Sequence, residues 1–134
     1  MNNPVVNVWN VVNREEFMRL MGCSASTLDE LEAVGEVFSV SSLEEGDGRR
    51  YPAFQLSSNV DKVLLRKTIA MYREADVSYT KLWSFLRSPR RENSNKTMAE
   101  ILLGALPPAE IGMSAAERAK AILDIVAEEL SRVR

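Results

Sequence analysis

Two short stretches of this sequence carry side chains that could contact the phosphates and base edges of nucleic acid. The first holds the hydroxyl groups of Ser24, Ser26 and Thr27, and the second holds the adjacent guanidinium groups of Arg49 and Arg50. Both kinds of group donate hydrogen bonds to phosphate oxygens, and an arginine pair beside a flexible loop suits the DNA backbone or the minor groove. These five residues are the candidate DNA-binding residues. The three hydroxyls could equally be helix caps on a solvated surface.

Side chains suited to catalysis or metal binding are scarce. The 134 residues include no histidine and one cysteine, Cys23, so the commonest general base and the commonest transition-metal ligand are missing. The sequence has no glycine-rich phosphate loop, no nucleophile elbow and no metal-spaced cluster. We therefore expect no enzyme activity, no cofactor and no metal site. The lone cysteine, together with the lack of a secretory signal or a long apolar run, favours a cytoplasmic location without membrane contact.

Capping residues around the first stretch predict two short helices joined by a tight turn. A helix over 14–21 begins at a cap on Asn13 and ends at Gly22. A second helix follows, with its cap at Ser24 or Ser26. Two helices joined by a glycine-containing turn form a helix-turn-helix, whose second helix enters the DNA major groove.

A β-hairpin is predicted beyond Gly35, where the second helix ends. Residues 37–40 and 49–55 have the composition of strands, and residues 44–48 form the loop between them. This hairpin lies where the wing of a winged helix-turn-helix would be. Pro52 has no N–H group to donate to a neighbouring strand, which predicts an edge position for the returning strand.

Beyond the hairpin the apolar spacing lengthens from about two residues to about 3.6, so helices replace strands. Helices are predicted over 60–75, 79–87, 98–103 and 115–132, with a polar loop over 88–96. The last helix carries a narrow apolar stripe. Such a stripe suits packing on its own domain or pairing with a second copy across a two-fold axis.

Charge is distributed unevenly along the chain. Residues 1–48 contain nine acidic and two basic residues, a net charge of −7, whereas residues 49–96 contain eleven basic and four acidic residues, a net charge of +7. This asymmetry indicates a charged partner or an oppositely charged region of a second protomer. The candidate partner-binding residues are basic residues of the middle segment: Arg66, Lys67, Arg87, Arg90, Arg91 and Lys96.

Several motifs resemble known families. EEFMRLMGCSASTLDELEAVGEVFSV resembles the winged helix-turn-helix of the MerR/excisionase type, and YPAFQ, LWSFLRSP and KTMAEILLGA resemble the Xre/MbcA/ParS toxin-binding domain of antitoxins. The resemblance covers roughly residues 13–105. With the periodicity it predicts a mainly α fold with a small β-hairpin, made of a winged helix-turn-helix domain over 1–56 and a helical partner-binding domain over 57–134. It implies a regulator of its own operon that binds operator DNA and a toxin-like protein.

The acidic residues of the second helix leave two functional hypotheses open. Asp29, Glu30 and Glu32 lie in the segment that would enter the major groove, where carboxylates are repelled by phosphates. A single glutamate can accept a hydrogen bond from a cytosine amino group, but three acids there are unusual. The first hypothesis is a homodimeric DNA-binding transcriptional regulator similar to a toxin–antitoxin system antitoxin. The alternative is a protein-binding adaptor on a helix-turn-helix scaffold that no longer binds DNA.

Overall fold

The computed structural model describes residues 9–41, 48–90, 95–105 and 111–133. The fold is mainly α-helical with a small antiparallel sheet, as predicted. The helices are α1 (Arg14–Met21), α2 (Ala25–Ala33), α3 (Lys62–Glu74), α4 (Tyr79–Arg87), α5 (Met98–Leu102) and α6 (Ala115–Val133). The strands are β1 (Val11–Asn13), β2 (Val40–Ser41), β3 (Arg49–Pro52), β4 (Pro89–Arg90) and β5 (Lys96–Thr97). Within the described residues, no helix combines the length and the apolar character needed to cross a membrane.

Local caps account for the bounds of α1 and α2. The Asn13 Oδ1 atom accepts a hydrogen bond from the Glu16 N–H group at 2.8 Å, and Gly22 ends α1 in the left-handed conformation at φ 70°. The second helix is capped by the Ser24 hydroxyl. Glu16 does not complete a capping box, because its carboxylate pairs with Arg19 one turn further along α1. The predicted bounds of the first helix are confirmed, and of the two predicted caps of the second helix the structure uses Ser24.

The sheet differs from a simple hairpin. β3 is the central strand and pairs antiparallel with both β1 and β2. The predicted strand over 37–40 shortens to β2, and the predicted strand over 49–55 ends at Pro52. The edge position predicted from Pro52 is therefore wrong. β2 pairs only with Arg49 and Arg50, so Pro52 lies beyond the end of β2 and breaks no pairing with it.

The side chain of Gln55 replaces backbone pairing just before the start of β2. Its side chain is buried in a short 3-10 helix, Ala53–Leu56. The Gln55 Oε1 atom accepts from the Phe38 N–H group at 2.8 Å, and Nε2 donates to the carbonyls of Phe38 at 2.9 Å and Pro52 at 3.0 Å. One side-chain amide thus ties the segment before β2 to the end of β3, where no backbone pairing is available.

The apolar core has two parts. The smaller lies beneath α1, α2 and the sheet, where the rings of Phe17 and Tyr51 stack with their centroids 4.7 Å apart. Most of the larger cluster comes from α3 to α6. The segment before residue 57 also contributes Phe38, Val40 and Phe54 to it. The hairpin therefore packs against the helices that follow it.

The helical part follows the predicted pattern. α6 packs on α3 and buries Ile122, Val126 and Leu130, so its apolar stripe is used within the chain. Two details differ from the prediction. α3 begins at a cap on Asp61, two residues later than predicted. The polar loop predicted over 88–96 includes a pair of two-residue strands, β4 and β5. Such short strands have too few residues to show alternation in the sequence.

Candidate nucleic-acid interface

α2 has one buried position and a broad exposed surface. Leu28 is fully buried and fixes the helix against α1 and the sheet. Residues four and three apart on a helix share a face, so Ser26, Glu30 and Ala33 form one outward line, and all three are exposed. α2 is therefore held on one side and accessible to solvent on the other.

Two of the three acidic residues on α2 face arginines. The Asp29 Oδ1 atom lies 2.7 Å from Nη2 of Arg14 and 4.0 Å from Nη1 of Arg49. The Glu32 Oε2 atom lies 3.1 Å from Nη1 of Arg49 and 3.7 Å from Nη1 of Arg14. We call these four residues the arginine–carboxylate network. Asp29 lies three residues after Ser26 and four before Ala33, so it borders the outward line, but its charge is compensated by Arg14. Glu30 is the carboxylate of that line outside the network.

Arg14 connects three elements at the centre of this network. Its Nη1 atom donates to the Tyr51 hydroxyl at 3.1 Å and its Nη2 atom donates to the Ala25 carbonyl at 3.2 Å. Burial alone lowers the pKa of Arg14, but hydrogen bonds to Asp29 and Tyr51 raise that pKa above its ordinary value. Burial raises the pKa of Tyr51, and the hydrogen bond from Arg14 opposes this. Arg14 has no recognisable signal in the sequence, because its hydrogen-bond partners lie 11 to 37 positions away.

The three candidate hydroxyl groups come together in the first turn of α2. The Ser24 Oγ atom accepts from the Thr27 N–H group at 3.2 Å and lies 3.1 Å from Thr27 Oγ1. The hydroxyls of Ser24 and Ser26 are 3.2 Å apart, and all three residues are exposed. Ser24 is the N-terminal cap of α2, which is the structural alternative to a DNA-binding role for this residue. The same turn presents backbone N–H groups and the positive end of the helix dipole, which favour a phosphate.

Arg49 and Arg50 point to opposite faces of the sheet, because side chains alternate along a strand. Arg49 shares its face with Tyr51 and joins the arginine–carboxylate network. Arg50 lies opposite Val40, a residue of the larger core, so it is directed towards the helical part. The two arginines therefore do not form one contact surface. Arg91 and the acidic residues of the loop between β2 and β3 lie outside the described residues.

The basic residues of α3 help to hold α2. Arg66 Nη1 donates to Glu36 Oε1 at 2.9 Å, and Arg73 Nη1 donates to the Ala33 carbonyl at the C-terminal end of α2 at 2.9 Å. Lys67 is exposed on α3. Lys67 therefore faces solvent, as expected for a basic stripe, whereas Arg66 and Arg73 connect α3 to α2 and the segment that follows it.

The remaining candidate partner residues lie near the end of α4. The guanidinium group of Arg87 lies over the Trp83 ring, 5.4 Å from its centroid. Arg90 lies 3.6 Å from Glu129 and links β4 to α6. Lys96 is opposite Arg90 in the two-stranded sheet and is half-buried. Arg66 and Arg90 are therefore anchored on different elements.

Comparisons with known proteins add no assignment. No family model, curated protein or solved structure matches the chain. In the part of the chain that the structure describes, no three cysteine, aspartate or glutamate side chains are grouped as metal ligands would be. The function of the chain must therefore be inferred from the geometry of α2 and its surroundings.

Proposed function

We propose that this chain is a DNA-binding transcriptional regulator that resembles an antitoxin of a toxin–antitoxin system. In this proposal α2 enters the major groove of operator DNA, a homodimer binds two half-sites, and the helical part holds a toxin-like partner protein in the cytoplasm. The element order β1-α1-α2-β2-β3 and the sheet order β1-β3-β2 support it, because a winged helix-turn-helix has two helices followed by a β-hairpin. Burial of Leu28 leaves the opposite face of α2 accessible.

The observation that carries the DNA proposal is the pairing of Asp29 and Glu32 with arginines. A carboxylate within hydrogen-bond distance of a guanidinium group contributes much less negative potential to its surroundings. The exposed face of α2 then holds one carboxylate outside the arginine–carboxylate network, Glu30, with the compensated Asp29 beside it. A single glutamate in a recognition helix is compatible with base readout, since it can accept from the amino group of cytosine. The hydroxyls of Ser26 and Thr27 supply donors beside it.

A charge reversal on the outward line tests this proposal. The probes are a fluorescent duplex from the region upstream of the chain's own gene and a random-sequence duplex of equal length, each measured by anisotropy at two salt concentrations. Glu30→Lys should raise affinity for both duplexes and steepen the salt dependence by about one phosphate contact. Glu128→Lys makes the same charge change at an exposed position on α6 and should change affinity far less. Equal effects from the two variants would count against α2 as the reading helix.

A second function follows from what the same contacts do to the arginines, together with the contact of Arg73 with α2. Three arginines beside α2, namely Arg14, Arg49 and Arg73, all contact carboxylates or a carbonyl of α2 itself. Arginines that are engaged with α2 itself neutralise fewer DNA phosphates. The chain could then act as a protein-binding adaptor without DNA affinity. If neither duplex binds and Glu30→Lys changes nothing at low salt, the adaptor function replaces the DNA proposal.

A further inference from the structure

A cleft of about 330 Å³ lies between the helix-turn-helix and the start of α3. It is bordered mainly by apolar side chains: Leu20, Met21, Leu31, Val37, Leu56 and Leu65. Val37 and Leu65 are buried, whereas the other four are half-buried. Apolar surface left accessible in a concave site marks a place where another apolar group binds.

The α3 side of this cleft is positively charged. Lys62 borders the cleft and is exposed. Arg66 follows one turn later, about 6 Å along the helix axis, and bonds to Glu36, which also borders the cleft. Because Arg66 and Glu36 compensate each other, the positive charge at the border of the cleft comes from Lys62. An apolar cleft beside a cationic helix is complementary to an apolar group flanked by carboxylates.

We propose that this cleft binds an acidic amphipathic helix of a partner protein. Apolar side chains from successive turns of that helix enter the cleft, and its carboxylates lie against Lys62 and Arg66, as in helix-in-groove recognition. A nucleic-acid backbone offers no aliphatic group that would fill such a site. The proposal rests on the part of the proposed function in which the chain binds a partner protein, and it adds the chemistry and the place of that contact.

A model peptide tests the inference on the full-length chain. The probe is a fluorescein-labelled helical peptide with leucines at i and i+4 and glutamates at the flanking positions, and its control has alanine in place of each leucine. Lys62→Glu and Leu20→Gln should each weaken binding of the leucine peptide about tenfold. Lys120→Glu and Val63→Gln make the same changes at exposed positions that do not border the cleft, and each should leave affinity within about twofold.

Three results would overturn the inference: no binding of the leucine peptide, equal binding of the alanine peptide, or equal effects of the cleft and control variants. A second copy of the chain is the competing occupant. In that case, light scattering would show self-association that Leu20→Gln abolishes, while the peptide would not bind. The duplex assay on Leu20→Gln separates the two proposals. Normal DNA binding alongside absent peptide binding by the wild type would refute the cleft inference and leave the DNA proposal standing.

Discussion

Replacing Arg14 with alanine should lower the free energy of unfolding by more than the loss of an exposed ion pair would. Its side chain is only 16% exposed and contacts α2 and β3 at once. The substitution removes the hydrogen bonds to the Tyr51 hydroxyl and the Ala25 carbonyl as well as the ion pair with Asp29. The perturbation therefore tests whether the arginine–carboxylate network holds the helix-turn-helix together.

The expected loss is about 2 kcal/mol in the free energy of unfolding. Losing the donor to the buried Tyr51 hydroxyl costs about 1 kcal/mol. The pair with Asp29 adds about 0.5 kcal/mol or less, since Asp29 is 60% exposed. The aliphatic stem of Arg14 adds a similar packing contribution of about 0.5 kcal/mol. Glu32 retains Arg49 at 3.1 Å, which limits the loss.

Urea denaturation followed by circular dichroism measures the change, and the midpoint of thermal unfolding should fall by about 6–10 °C. Arg19→Ala is the matched control, because Arg19 is 67% exposed and pairs with Glu16 on the same helix, and its effect should be much smaller than that of Arg14→Ala. Combining Arg14→Ala with Tyr51→Phe should cost less than the sum of the two single changes. Equal losses for Arg14→Ala and Arg19→Ala would refute the reasoning.

Two further predictions concern other parts of the fold. Gln55→Leu should destabilise the chain by about 3 kcal/mol in urea denaturation, because it leaves the backbone groups of Phe38 and Pro52 without their buried partner; a loss below about 1 kcal/mol would contradict this role. The backbone N–H and hydroxyl of Ser114 lower the pKa of Glu117, so the contribution of this cap is present above the ordinary glutamate pKa and is lost as pH falls through the lowered pKa. An NMR titration should show that lowered pKa, and Ser114→Ala should move it upwards; no movement would argue against the hydroxyl's part in it.

Local signals made most helix bounds predictable. The cap at Ser78 and the glycine at position 22 each act within a few residues, so α4 and the end of α1 lie where the sequence predicts. The start of α3 differs from the predicted residue 60, because Asp61 caps the helix although Asn59, two residues earlier, is also a side chain that can cap. The order of the sheet could not be read in the same way. Pairing of β1 with β3 joins residues about forty positions apart, and Pro52 gave the wrong indication for that reason.

The candidate site was only partly predictable for the same physical reason. The sequence identifies Asp29, Glu30 and Glu32 as three acids on one helix, but their surroundings depend on residues brought together by tertiary folding. Arg14 precedes Asp29 by 15 positions and Arg49 follows Glu32 by 17. Helical spacing alone indicates that Glu30 lies on a different line from the other two acids. That spacing was the signal in the sequence that could have separated them.

α2 takes part in both proposed contacts, and this has a consequence for regulation. Its outward line holds the groups proposed to meet DNA, while Leu31 on another face borders the apolar cleft. A partner helix in the cleft would therefore touch the same nine-residue helix that DNA would contact. Coupling between two binding sites is reciprocal. If bound peptide changes the affinity for DNA by some factor, bound DNA must change the affinity for the peptide by the same factor. Leu20→Gln, which should weaken peptide binding about tenfold, should raise by about tenfold the peptide concentration needed to alter DNA affinity, while leaving the outward line of α2 unchanged.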